Sequence, residues 1–300
     1  MRDIGRVVTA MATPFDARGE VDYGQAKRLA QALIASGSEA LVVTGTTGES
    51  PTLSNEEKLR MYETVVDAVG DRAAVIAGTT NYNTAESIHL TMEAEGTGVD
   101  AFLMTVPYYN NPPQEGLYQH FKAIAAHTQK PCIVYNVPSR TVRNMEAATT
   151  IRLSEIPNIV GVKEASANLE QIAKIIQGAA PGFRVWSGND NDTYPILALG
   201  GYGVVSVVAH LAGLQVRAMV DKFFAGDVAG AASLHPHLMP LVNALFMTTS
   251  PIPLKYMLNQ AGFNVGGVRL PLVEPDEKTA AQLRETLSRY KVDLPVAAGA

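Results

Sequence analysis

Ile159-Val160-Gly161-Val162-Lys163-Glu164-Ala165 is a short, almost continuously apolar run that carries a lysine near its end. A run of that length without polar alternation fits a strand buried on both faces, as in a parallel sheet. Similar β-branched runs recur at 7–11, 40–44, 73–78, 101–106, 131–137, 184–187 and 204–208. Amphipathic stretches separate them. The stretch 54–69 opens on Ser54 with Glu57 three residues on, the spacing of a capping box. The stretch 84–95 opens on Thr84 and precedes Gly96, 114–128 follows Pro112-Pro113, and 168–177 ends at Gly178, a helix-stop signal. Strand–helix alternation at roughly 30 residues per unit, repeated about eight times, predicts a (β/α)8 TIM barrel. The competing doubly wound sheet is disfavoured because no Gly-x-Gly-x-x-Gly follows the first strand.

After about Leu214 the strand signal fades, and 214–224, 227–246, 251–260 and 275–290 read as helices. The expected division is a barrel over 1–225 and a small helical domain over 226–300, with a frayed Pro/Ala/Gly-rich tail at 292–300. The chain has 300 residues, 47% of them hydrophobic, and a net charge of -5. That acidic balance and the scattered cations argue against a nucleic-acid or anionic-membrane partner. No apolar stretch approaches the roughly 20 residues that span a bilayer. The opening Met1-Arg2-Asp3-Ile4-Gly5-Arg6 lacks the apolar segment of a secretion signal, and the single Cys132 cannot form an internal disulfide. A cytoplasmic location is the expectation, with Cys132 a buried, inert thiol.

Burying an ammonium is costly and drives its pKa down, and a neutral lysine amine is what imine chemistry with a carbonyl substrate needs. Lys163 is therefore the candidate nucleophile. The alternative is a strand-ending lysine with its head in solvent. In a barrel of this kind the site lies at the carboxyl ends of the strands. The second strand runs into Gly45-Thr46-Thr47-Gly48-Glu49-Ser50, where hydroxyls and amides can converge on a small carboxylate. The fourth ends in Pro107-Tyr108-Tyr109-Asn110, presenting two phenols. The fifth ends in Tyr135-Asn136-Val137-Pro138-Ser139-Arg140, whose arginine fork suits a second carboxylate. Each also has an ordinary reading: a polar loop, an aromatic packing pair, a solvated arginine. Gly188 in Ser187-Gly188-Asn189-Asp190 and the run Gly201-Tyr202-Gly203-Val204-Val205 allow close backbone approach to a ligand. His235 and His237 stand two apart, on different helix faces, so no catalytic metal is expected.

Gly45-Thr46-Thr47-Gly48-Glu49-Ser50, Pro107-Tyr108-Tyr109-Asn110, Tyr135-Asn136-Val137-Pro138-Ser139-Arg140 and Gly161-Val162-Lys163-Glu164 together resemble the motifs of the dihydrodipicolinate synthase family, within the N-acetylneuraminate lyase superfamily. The resemblance runs over essentially the whole chain, one motif per strand end. It implies a lyase of the class I aldolase type in diaminopimelate and lysine biosynthesis, condensing pyruvate with aspartate semialdehyde. The covalent carrier is a Schiff base on Lys163, without a separate cofactor. It implies a proton relay of Tyr135, Thr46 and Tyr109, with Tyr109 reaching a neighbouring subunit. Thr47 is implied for the pyruvate carboxylate, Arg140 for that of the semialdehyde, and Gly188 and Val205 for backbone contacts. A homotetramer built from two tight dimers is implied as well. The resemblance places an effector cleft for lysine at Ser50, Asn55, Lys58, Tyr82, Glu86 and Tyr108. Asn55, Lys58 and Tyr82 depart from the pattern of lysine-sensitive members, and the fixed charge of Lys58 opposes a cationic effector. Weak or absent lysine inhibition is the expectation. The alternatives are a pyruvate-dependent aldolase acting on a 2-keto-3-deoxy sugar acid or N-acetylneuraminate, and a non-catalytic carboxylate-binding barrel.

Overall fold

The computed structural model describes residues 2–295. Its elements run β1 Val7–Ala10, α1 Tyr23–Ala35, β2 Ala40–Val43, α2 Asn55–Val69, β3 Ala74–Gly78, α3 Thr84–Glu95, β4 Ala101–Thr105, α4 Gln114–Ala125, β5 Cys132–Asn136, α5 Pro138–Thr141, α6 Ala147–Ser154, β6 Ile159–Glu164, α7 Leu169–Gly178, β7 Arg184–Ser187, α8 Thr193–Ala198, β8 Gly203–Ser206, α9 Ala209–Phe224, α10 Val228–Leu245, α11 Ile252–Gln260 and α12 Glu277–Leu287. The strands pair in parallel, each with its sequence neighbour, and β8 closes on β1. This is the predicted (β/α)8 barrel, followed by C-terminal helices. No helix among the described residues is long and apolar enough to cross a membrane.

The barrel has two apolar layers. Val8, Val42, Ile76, Leu103, Ile133, Trp186 and Val205 fill the interior, while alternate strand residues such as Val43, Val134 and Val162 pack under the helices. Strand β6 carries the feature that aims the lysine. Cys132 pairs with Ile159 but Ile133 pairs with Gly161, so one extra residue bulges out of β6 at Val160. Such a bulge reverses the facing of everything after it. Strict alternation from the outward Ile159 would turn residue 163 outward; the bulge brings Lys163 into register with the inward Tyr135. Gly161 is small for a steric reason: a Cβ there would lie 2.5 Å from the Trp186 indole. That ring plugs the barrel and donates from Nε1 to Gly5 O at 3.0 Å.

Local signals mostly act where the sequence places them. Ser54 and Glu57 form the full capping box of α2. Asn83, not Thr84, caps α3; the Thr84 hydroxyl instead meets His120 Nδ1 at 2.9 Å. Gly178 lies inside the last turn of α7 rather than beyond it, and Asn168 is that helix's N-cap. Helix α4 stops three residues before the expected end at Thr128, whose hydroxyl is held by Glu95. The stretch expected from Leu214 is the second part of α9, which breaks at Ala212. Helices α1, α5, α6 and α8 are additional to those singled out from sequence. The expected fraying of 292–300 is corrected for its first part: Leu294 is buried and Asp293 N–H donates to Leu211 O at 2.7 Å. Residues 296–300 lie outside the described residues.

Candidate active site

Lys163 and Tyr135 occupy neighbouring inward positions at the carboxyl ends of β6 and β5, each 5% exposed. The lysine Nζ stands 4.1 Å from the centroid of the Tyr135 ring. It makes no ion pair with a carboxylate among the described residues. Burial pushes its pKa down to about 7, with Asp190 opposing and Arg140 assisting. Burial also pushes the Tyr135 phenol up to about 12, so it holds its proton at neutral pH. Asp190, just after β7, accepts no hydrogen bond from Lys163. It accepts instead from Ser206 Oγ at 2.5 Å and from the amides of Val207 and Val208 at 2.9 and 3.1 Å. Its charge biases the amine without neutralising it.

Thr46 and Thr47 lie in the turn after β2, which is tied by Gly48 N–H to Gly45 O and Glu49 N–H to Thr46 O, both 3.0 Å. Thr44 and Glu49, at its two ends, hold left-handed backbone with φ of 51° and 55°. The amides and hydroxyls of Thr46 and Thr47 have no hydrogen-bond partner among the described residues, so four donors are free for an anion. Thr46, Thr105, Tyr108, Val137 and Arg140 line one cavity of about 210 Å³. Lys163 and Tyr135 are not in that lining; they are buried within the barrel. The Arg140 guanidinium donates to Ser250 O at 3.2 Å, which orients it at the cavity wall.

The other expected residues divide. Val205 lies in the interior layer with Tyr135 and Trp186. The Gly188 amide is already bound to Glu164 O at 2.7 Å, and a Cβ there would come 2.7 Å from the Ala165 methyl, so its glycine serves the β6–β7 junction as well. Tyr109 is 92% exposed at φ 73°, its ring centroid 6.5 Å from that of Tyr82. No hydrogen bond joins Tyr135, Thr46 and Tyr109 within this chain. Ser50, Lys58, Tyr82 and Tyr108 line a second cavity of about 300 Å³, and Ser50 and Tyr108 belong to both walls. Glu86 lies outside that lining and accepts from Asn81 Nδ2 and Asn83 Nδ2 at 2.9 and 3.0 Å. Asn55 is exposed at the start of α2 and lines neither cavity.

Several residues that matter were not singled out from sequence. Glu164, on the outer face of β6, accepts from Asn136 and Gln171 side chains and from Ser166 N–H. Glu49, inside the threonine motif, forms a buried ion pair with Lys255 at 2.9 Å. Its presence in the motif was the available signal; nothing in the sequence linked it to a lysine two hundred residues on. Cys132 is buried and its thiol is pushed up to about 12, as expected of an inert residue. His235 packs on Tyr194 and His237 meets Gln215 Oε1, each on its own neighbours.

The family model of the Dihydrodipicolinate synthetase family matches residues 3–290. A 4-hydroxy-tetrahydrodipicolinate synthase of Dehalococcoides mccartyi is 56% identical over 296 residues, covering 99% of this chain and 100% of that protein. The crystal structure of a dihydrodipicolinate synthase from Bacillus anthracis superposes with a TM-score of 0.94 at 45% identity, covering 97% and 99% of the two chains. The chloride-inhibited dihydrodipicolinate synthase of Acinetobacter baumannii, solved in complex with pyruvate, gives 0.92 at 37% identity, covering 95% and 98%.

Proposed function

The chain belongs to the dihydrodipicolinate synthetase family, and from that premise we infer that it is a 4-hydroxy-tetrahydrodipicolinate synthase, a lyase joining pyruvate to L-aspartate-4-semialdehyde. Similarity to synthases over nearly the full length disfavours the sugar-acid aldolase and the non-catalytic barrel. The observation that carries the mechanism is a buried lysine amine without a carboxylate partner, beside a phenol, in a barrel whose β2 end presents four free donors.

In the proposed sequence, neutral Lys163 adds to the pyruvate ketone and water leaves, giving an imine. Thr46 and Thr47 hold the carboxylate. The protonated imine withdraws electrons, a methyl proton departs, and the enamine carbon bonds to the aldehyde carbon of the second substrate. That substrate's amino group then attacks the imine carbon, closing the ring and releasing the Lys163 amine. The imine supplies the electron sink, so the scheme draws on no separate cofactor.

Tyr135 stands beside the Lys163 amine with its proton in place at neutral pH, and burial, by raising its pKa, favours recovery of any proton it passes on. Arg140 faces the cavity where the carboxylate of aspartate semialdehyde would enter. Gly188 and Val205 would shape the pocket through their backbone. The exposure of Tyr109 fits a role in a neighbouring copy's site, completing the relay with Tyr135 and Thr46, and hence a homo-oligomer, a tetramer of two tight dimers. A cytoplasmic setting accords with a reduced, buried Cys132. Pyruvate with borohydride tests the centre of this reading: mass spectrometry should find a reduced pyruvyl adduct on Lys163. An unmodified Lys163 in turning-over protein would refute it.

A further inference from the structure

Glu49 sits in left-handed backbone, φ 55° and ψ 36°, a conformation that a residue with a side chain keeps only when its surroundings impose it. Its N–H donates to the carbonyl of Thr46 at 3.0 Å, so its placement is coupled directly to the donor-bearing turn. Its carboxylate is 1% exposed, with each oxygen engaged. One accepts from Lys255 Nζ at 2.9 Å and the other from Arg269 N–H at 3.0 Å. Lys255 lies on α11, is itself 2% exposed at the side chain, and donates a second bond to Thr13 O at 2.9 Å. Its remaining surface covers the Phe15 ring, 4.0 Å from the centroid. Thr13 Oγ1 in turn donates to Gly48 O at 2.7 Å. Arg269 extends the clamp to the start of α2 through a two-bond pair with Glu57 and a bond to Thr52 O. Residues 48 and 49 are thus gripped from the loop after β1, from α11 and from the segment after it.

We propose that Lys255 is a positioning residue for the keto-acid carboxylate: by holding Glu49, it sets the turn that presents Thr46 and Thr47. The C-terminal helices are thereby part of the substrate site, although none of their residues lines the threonine turn itself. A buried ion pair adds little net stability over an apolar isostere, whereas it fixes one geometry strongly. Misplacement of positioning groups by even an ångström is costly to binding and rate. The proposal rests on the pyruvate reading above.

The experiment compares the intact protein with Lys255→Met, Glu49→Gln and the double variant. It measures borohydride trapping at Lys163 against pyruvate concentration, together with steady-state KM for each substrate. In Lys255→Met the half-saturating pyruvate concentration should rise about tenfold or more, while KM for aspartate semialdehyde stays within about twofold. The double variant should bind pyruvate better than Lys255→Met, because no unpaired carboxylate is left to distort the turn. Unchanged pyruvate dependence, or an equal rise for both substrates, would overturn the proposal. Should the variants not fold, hydrogen exchange on the unsubstituted protein decides. Pyruvate should slow exchange at the Arg269 amide as well as at Thr46 and Thr47; protection of the threonines alone would overturn the proposal. Absence of any Lys163 adduct in the unsubstituted protein would remove the pyruvate reading and this proposal together. A normal adduct with unshifted variants would remove the proposal alone.

Discussion

Lys163 and Lys255 are both buried lysines, 5% and 1% exposed, the first at the end of β6 and the second on α11. Their surroundings make them different chemical groups. Lys255 has a carboxylate, a backbone carbonyl and an aromatic face, so its amine is paired and held at a fixed address. Lys163 has the Tyr135 ring and a nearby carboxylate whose hydrogen bonds go elsewhere. Burial lowers the pKa of both, but only at Lys255 does a direct ion pair oppose it. Burial of an amine therefore does not make a nucleophile; burial without a dedicated counter-ion does.

The largest expected effect is on turnover. Lys163→Met should lower kcat by at least ~10³-fold, since no other group can form the imine. The fold should survive, and the unfolding midpoint at neutral pH should rise, because an amine that prefers water has been replaced by an apolar chain. Steady-state assay and thermal denaturation together check this; retained turnover would dissolve the contrast. Lys255→Met should act with the opposite sign on stability. It strands a buried carboxylate, a loss of about 3–5 kcal/mol, and the added Glu49→Gln change should return part of it. Denaturant unfolding of the two variants measures the difference, and equal stability in both would mean that the pair is not the constraint described.

The sequence made one of these lysines legible and concealed the other. Lys163 stood out because a charge at the end of an apolar run is anomalous locally, and Thr46, Thr47, Tyr135 and Arg140 marked other strand ends in the same way. The barrel followed from repeated short apolar runs, which depend only on local pattern. The Val160 bulge that turns Lys163 inward could not be read, because it is a mismatch between two strands rather than a property of one. Lys255 was invisible for a related reason: in Pro251-Ile252-Pro253-Leu254-Lys255 it looks like an ordinary helix surface residue, and its partner is supplied by packing alone. Asn55 shows the converse limit, since its motif position implied a cleft that its exposed side chain does not line.

The pH dependence sharpens the comparison next. With the Lys163 pKa near 7, imine trapping at subsaturating pyruvate should fall about tenfold per pH unit once the pH is well below 7. The same shift acts on stability. The unfolded lysine, with its ordinary pKa near 10.4, binds a proton between about pH 7 and 10 that the folded one does not. Stability should therefore gain from this group as pH rises through that window, and Lys163→Met should flatten that part of the profile. A trapping rate flat between pH 5 and about 8 would mean that the amine is not the titrating group.

Lys58 gives the smallest expected effect and tests whether the rule extends beyond the barrel. It is half-buried in the wall of the 300 Å³ cavity; burial lowers its pKa, while Glu86 opposes the shift. It lies between the two extremes: it faces a carboxylate's field, but forms no direct ion pair among the described residues. A bound lysine would bring a second ammonium into this cavity beside a cation that cannot be displaced, and like charges at a few ångströms repel appreciably in a partly desolvated site. Free lysine should accordingly inhibit weakly or not at all. Lys58→Ala should increase sensitivity by roughly tenfold at most, the equivalent of about 1.4 kcal/mol of relieved repulsion. Inhibition curves of the two proteins decide the point. Strong inhibition of the unsubstituted enzyme by sub-millimolar lysine would mean that Glu86 neutralises Lys58 despite the missing contact, placing Lys58 with Lys255 rather than between the two.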